Sequence, residues 1–269
     1  MNIACVLNVH GDTELVLDTI DALRRWVTND ILVVVDGAKW DSWGKDVVLP
    51  AYKMCGSPQK HSRSPCRNVA LGLKHAWELW GEKVDWICYT EYDVLFTSDR
   101  FVKNLETAEK NDIWMLGNDG RVEHFSIPLL ESLAGPMKTS YYLLGCCQFF
   151  HKKFLLKLDE MKFYDKFLHM LSGFTSQIPG YTGYDISEHI YPSLARHLGG
   201  NIGVFASWDG SKWHGSYEIF PMRWKPELNL ETENFTNASI MHPLKKFTHP
   251  IRVTHRERRR NENDRRTSG

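Results

Sequence analysis

An α/β fold, with a mostly parallel central sheet flanked by helices, is what this sequence predicts, and three observations carry that expectation. Residues Ile3–Val9 and Ile31–Val35 are nearly continuous apolar runs, the pattern of strands covered on both faces. Between them Leu15, Val16, Ile20, Leu23 and Trp26 recur at helical spacing, so strand, helix and strand fit within about forty residues as a βαβ unit. A third apolar run, residues 86–96, carries two acids, Glu91 and Asp93, in its midst.

The totals are compatible with that class. The chain has 269 residues, enough for a full core in one large or two small domains. With no internal repeat and no linker before about residue 250, we expect one domain over 1–250 and a basic, flexible tail over 251–269. The tail has seven arginines against three acids from Arg252 onward. A hydrophobic fraction of 42% and a charged fraction of 25% are those of an ordinary globular protein. The net charge is zero, which gives no drive toward nucleic acid, and none is expected as a partner. No apolar run approaches the ~18 residues of a membrane span, and the first residues read as a strand instead of a signal peptide. Six cysteines without a C-x-x-C pair, several inside apolar runs, suggest reduced thiols and a cytoplasmic location.

Taken in order, the first strand is broken by His10-Gly11-Asp12, and Asp12 or Thr13 is placed to cap the helix that follows. Ligands of open α/β sheets lie at the carboxyl ends of strands, which singles out residues 8–12 and 36–39. Residues 38–64 are polar and irregular. A helix then starts at Ser64-Pro65, a cap followed by proline at the first helical position. Cys66, Val69, Ala70, Leu73, Ala76, Trp77 and Trp80 line one face of it, and Gly81 ends it. Its first turn holds Arg67, where free amides and the helix dipole favour an anion; a solvated surface arginine is the alternative.

Residues 84–96 read as a strand. Positions i and i+2 share a side, so Glu91 and Asp93 should converge. Burying both is costly unless something pairs with them, and a hard divalent cation would. Alternatively the strand ends at Thr90 and both acids are solvated. A helix over 99–110, a strand over 113–116, a turn cluster over 117–121, a strand over 141–150 and an amphipathic helix over 152–171 follow. Residues 183–198 form the last expected helix, with Pro192 set to kink or restart it. A short strand over 202–205 and an aromatic-rich loop over 208–224 complete the pattern before His242-Pro243.

The order of these parts, over about residues 3–245, resembles glycosyltransferases of the GT-A fold. "TEYDVLF" stands where that family has its Asp-x-Asp motif, with Glu91 at the first position; "ILVVVDG" resembles the strand whose terminal Asp meets the nucleotide; "RNVALGLKHAW" resembles the helix that often precedes the metal motif. The resemblance implies a Mn2+ or Mg2+ cofactor, a nucleotide-sugar donor and a glycan or other hydroxyl acceptor. Asp93 would be a metal ligand, with Glu91 as a second ligand or a ribose contact. Asn8, His10, Asp36, Arg67 and Lys245 would join Glu91 around the nucleotide. "GYDISEHIYPSLARHLG" resembles the segment that supplies a general base to inverting members, which points to Asp185 or Glu188. The same D-x-x-E spacing also fits a capping box. "IMHPLK" resembles a late segment giving a third metal ligand, His242, and a phosphate-facing lysine, Lys245; imidazole favours Mn2+ over Mg2+.

The expected activity is therefore metal-dependent transfer of a sugar from a nucleoside-diphosphate donor to a hydroxyl, with inversion. One alternative is a sugar nucleotidyltransferase, against which no Gly-rich phosphate loop follows the first strand. The other is a non-catalytic glycan- or nucleotide-binding module. Departures from the pattern include His10-Gly11-Asp12 after the first strand and the lack of a second signature separating inverting from retaining chemistry.

Overall fold

The computed structural model of the chain describes residues 1–57, 64–123, 128–137, 139–173, 183–224, 226–229, 233 and 235–267. From the amino end, β1 (Ile3–Val9) leads through α1 (Thr13–Trp26) to β2 (Ile31–Val35). A single turn, α2 (Gly37–Lys39), continues into a π-helical turn at Trp40–Gly44 and on to β3 (Tyr52–Cys55). Next come α3 (Ser64–Trp80), β4 (Trp86–Glu91), β5 (Leu95–Phe96), α4 (Phe101–Lys110), β6 (Ile113–Glu123), α5 (Pro128–Ala134) and β7 (Ser140–His151). The chain continues with α6 (Lys152–Glu160), α7 (Phe163–Gly173), α8 (Gly183–His197), β8 (Asn201–Val204), β9 (Ala206–Trp208), β10 (Trp213–Gly215), β11 (Ile240–Met241) and α9 (Pro250–Thr267).

Seven strands form the main sheet in the order β3-β2-β1-β4-β7-β6-β8. All neighbours are parallel except that β7 runs antiparallel to both β4 and β6. The expected α/β architecture, a mostly parallel sheet flanked by helices, is what forms. Alternation along the strands divides the core. Ala4, Val6, Leu32, Val34, Ile87 and Tyr89 pack with α3 and α8 on one face. Cys5, Leu7, Val9, Val33, Val35 and Cys88 pack with α1 and α4 on the other. Gly72 lets α3 lie close on β1, since a Cβ there would come within 2.5 Å of Val6 Cγ1.

Several local expectations give way to tertiary pairing. The run 84–96 is not one strand: β4 stops at Glu91, residues 92–93 turn, and Val94 N–H closes on Glu91 O at 3.1 Å. Residues 117–121, expected as a turn, lie inside β6, whose pairing with β7 shifts register there. The buried Asn118 amide explains how: its Nδ2 donates to Met222 O at 2.6 Å and its Oδ1 accepts from Ala206 N–H at 2.8 Å. The helix expected over 152–171 breaks into α6 and α7 at Lys162, which has φ +52°. The irregular stretch 38–64 contains β3, an edge strand whose side chains are too exposed to leave an apolar run. Asp12 takes the N-cap position of α1 without a side-chain cap bond, while Pro192 sits inside an unbroken α8.

The largest departure is at the carboxyl end. Residues 251–269 were expected as a flexible tail, but α9 occupies 250–267 and opens with Pro250 at its first position. Ile251 is buried with Leu95, Met241 and Leu244, and Arg252 is fully buried. All six cysteines are free thiols, five of them buried and Cys55 exposed. Among the described residues no helix is long and apolar enough to cross a membrane.

Candidate metal centre

The sheet grows in one direction from β1 to β2 and β3, then resumes on the other side of β1 with β4. That reversal makes a topological switch point at the carboxyl ends of β1 and β4, the place where ligands of such sheets bind. Asn8 and Glu91 lie side by side there as register partners, and Asp36 follows the end of the adjacent β2.

Glu91 closes β4, and Asp93 follows in the turn. The small β5–β11 ribbon pairs Phe96 with Ile240 and Leu95 with Met241, which delivers His242 to the same turn. Leu244 N–H then donates to Asp93 O at 2.9 Å. The two acids therefore converge through a turn, and not by sharing a strand face. One ligand atom from each of Glu91, Asp93 and His242 lies within 4.8 Å of the others. The His242 ring has a defined orientation: Nδ1 lies 2.7 Å from Arg223 O. A carbonyl can only accept, so Nδ1 carries a proton, and Nε2 presents a lone pair when the ring is neutral. That Nε2 lies 3.4 Å from Asp93 Oδ1, which is buried and accepts no hydrogen bond among the described residues. Two carboxylates and an oriented imidazole, with an orphaned buried oxygen between them, fit a divalent cation such as Mn2+.

The electrostatics point the same way. Burial, then the charges of Asp93 and Glu188, raise the Glu91 carboxyl well above its ordinary range. Burial also works to raise Asp93, yet positive charge on protonated His242, then on Lys245 and Arg252, holds it below its usual value, and a bound cation would take the place of that proton on His242. The pocket thus stabilises one carboxylate and leaves another short of positive charge.

The other candidate residues distribute around this centre. The Asn8 side chain is fully buried, and neither of its polar atoms has a partner among the described residues. His10 packs edge-on to Tyr92 at 4.6 Å; burial lowers its pKa, opposed by Asp93 and Asp36. Asp36 is buried and caps α2 by accepting from Ala38 N–H at 2.8 Å. Lys245 is exposed, and its charge acts on Glu91, Asp93 and His10. Arg67 is half-buried in the first turn of α3, while the groups that act most on Asp93 are His242, Lys245 and Arg252. Glu188 is buried in α8 with Oε1 accepting from Gly145 N–H at 2.6 Å. That bond braces β7 against α8. Asp185 falls within α8, but its side chain lies outside the described residues.

Sequence reasoning missed the supporting residues. Arg223 contributes through its carbonyl, which any residue type would offer, so no signal existed. Gly11 accommodates the ring of Tyr92, where a Cβ would come within 2.0 Å of Cε2, and Gly145 accommodates Glu188. Arg252 was hidden in a run of surface arginines, although Pro250 was a readable helix start.

No protein-family model matches the chain, and no curated protein matches it. Among solved structures it is similar to a glycosyltransferase involved in the glycosylation of the major capsid of PBCV-1. The TM-score is 0.51 at 10% identity, over 96% of this chain and 99% of that one. It is also similar to 4-diphosphocytidyl-2C-methyl-D-erythritol synthase from Anaerococcus prevotii, with a TM-score of 0.42 at 13% identity, over 76% of this chain and 86% of that one. At these identities the first likeness establishes a GT-A-like fold, and function has to be argued from the site.

Proposed function

We propose that the protein is a divalent-metal-dependent glycosyltransferase that moves a sugar from a nucleoside-diphosphate donor to a hydroxyl acceptor with inversion. The observation that carries this reading is the convergence of Asp93, Glu91 and the oriented His242 at the carboxyl ends of β1 and β4. Asp93 and His242 would hold the cation, with Glu91 as third ligand or as a contact to the ribose. A bound Mn2+ or Mg2+ would offset the charge that develops on the departing diphosphate.

The chain's own groups divide the remaining work. Lys245, the exposed cation nearest in effect to the cluster, faces the phosphates, with Arg67 at its helix start as a second anion contact. Asn8, His10 and Asp36 line the ends of β1 and β2 and bind the nucleoside, so that the unpartnered Asn8 amide gains its hydrogen bonds on binding. Glu188 or Asp185 takes the proton from the acceptor hydroxyl. Glu188 has the more defined placement, because the Gly145 N–H fixes its carboxylate. Holding donor and acceptor in line makes displacement effectively intramolecular.

The test is a panel of nucleoside-diphosphate sugars with Mn2+, Mg2+ or EDTA, read by thermal unfolding and by slow donor hydrolysis. One donor should raise the unfolding temperature only with metal and should be hydrolysed slowly. Absence of stabilisation by every nucleoside diphosphate, with and without metal, sinks the proposal. Adding nucleoside triphosphates with sugar phosphates scores a nucleotidyltransferase through pyrophosphate release. A binding module would keep its ligand unchanged after Asp93→Ala.

A further inference from the structure

We infer that Arg252, on the carboxyl-terminal helix, is the positioning residue for the metal-binding turn. This inference rests on the metal reading of Glu91, Asp93 and His242. The Arg252 guanidinium is fully buried, and its donors reach three backbone carbonyls. Nη2 lies 3.3 Å from both Tyr92 O and Val94 O, and Nε lies 3.0 Å from Leu244 O. The first two carbonyls flank Asp93, while Leu244 follows His242 by two residues and itself donates to Asp93 O. A single side chain therefore ties both ligand-bearing segments together.

The other side of the guanidinium is anchored on α1. Nη1 donates to Asp18 Oδ2 at 2.8 Å and to Thr19 Oγ1 at 3.3 Å. The Thr19 hydroxyl in turn donates to Tyr92 O at 2.6 Å. A planar guanidinium with five donors can span these acceptors at once, whereas an ammonium on a flexible stem cannot hold the same fork. Neutralising Asp18 does not by itself explain the arrangement. Arg259 also donates to Asp18, and Arg256 lies 3.5 Å from it. Arg252 is the arginine of that group whose donors also clasp the turn.

Metal and fold contributions separate in a comparison of wild type, Arg252→Lys, Arg252→Met and Arg259→Gln. Mn2+ affinity is read from the loss of the free-ion EPR signal, the bound-ion spectrum is recorded, and unfolding is followed without metal. Lysine keeps the charge beside Asp18 and so keeps the fold if methionine does not. Arg252→Lys should weaken Mn2+ binding about tenfold, in the range for groups that orient metal ligands, and should alter the bound-ion spectrum. Arg259→Gln should lower the unfolding temperature but leave Mn2+ affinity within about twofold of wild type, since it supports Asp18 without touching the turn. Wild-type affinity and spectrum in Arg252→Lys, or an equal loss of affinity in Arg259→Gln, overturns the inference and leaves the metal site standing. Failure of the wild-type protein to bind Mn2+ overturns the metal reading, and this inference with it.

Discussion

His242 Nε2 stands 3.4 Å from Asp93 Oδ1, with its ring held the other way by an Nδ1 hydrogen bond to Arg223 O at 2.7 Å. The two facing atoms offer lone pairs when the ring is neutral, and a cation can satisfy both. Saturating wild type at about 100 times the metal dissociation constant should therefore stabilise it by about 2.7 kcal/mol. Asp93→Ala and His242→Ala should each lose nearly all of that gain. Thermal unfolding with Mn2+ and with EDTA measures it. A metal-dependent rise that persists in both variants counts against this pair as ligands.

Asn8 predicts a trade between stability and binding. Its amide is fully buried and unpartnered among the described residues, and such a group costs about 1–3 kcal/mol. Asn8→Leu should raise the stability of the ligand-free protein by about 1 kcal/mol and weaken nucleotide binding about tenfold. Denaturant unfolding and nucleotide titration read the two effects. A destabilised variant with unchanged affinity would show that Asn8 is a structural residue.

Gly145 tests the placement of Glu188. A Cβ there would lie 2.9 Å from Glu188 Cγ and 3.0 Å from Oε1, so Gly145→Ala must turn the carboxylate away. Under the proposed mechanism turnover should fall by roughly two orders of magnitude, the low end of a general base's contribution, with little change in donor affinity. Steady-state kinetics distinguish this from a binding defect. Unchanged turnover would leave the role of base to Asp185.

His255 makes the carboxyl-terminal helix sensitive to acid. Burial first, then Arg258 and Arg259, push its pKa from 6.5 down to about 4. The folded protein resists a proton that the unfolded chain accepts, so this contribution is whole above pH 6.5 and is lost as pH falls through about 4. Between pH 7 and 4 the wild type should lose about 2 kcal/mol more than His255→Gln, allowing for partial solvent screening. Unfolding curves across that range decide it; parallel curves would remove His255 as the cause.

Much of the site was legible where a local pattern reported a local demand. Glu91 and Asp93 were conspicuous because acids are rare inside an apolar run. Asp36 was conspicuous at the end of an apolar strand, and His242 and Lys245 through the segment around Pro243. What brings them together was not legible. Asn118 reads as a turn residue by type, yet it spans Met222 and Ala206 inside β6. Arg252 reads as one more surface arginine, yet it is buried against Asp18, 234 positions away in the chain.

The sequence by itself determined the fold class, because hydrophobic periodicity follows from which faces of a strand or helix must leave water. It also determined which residues carry charge at the strand ends. Only the tertiary structure decided which of those charges meet. That choice depends on the pairing of β5 with β11, on the close approach of α8 to β7 at Gly145 and on the docking of α9 under the Asp93 turn. Each of these is a contact between distant segments, favourable only once the intervening chain has folded.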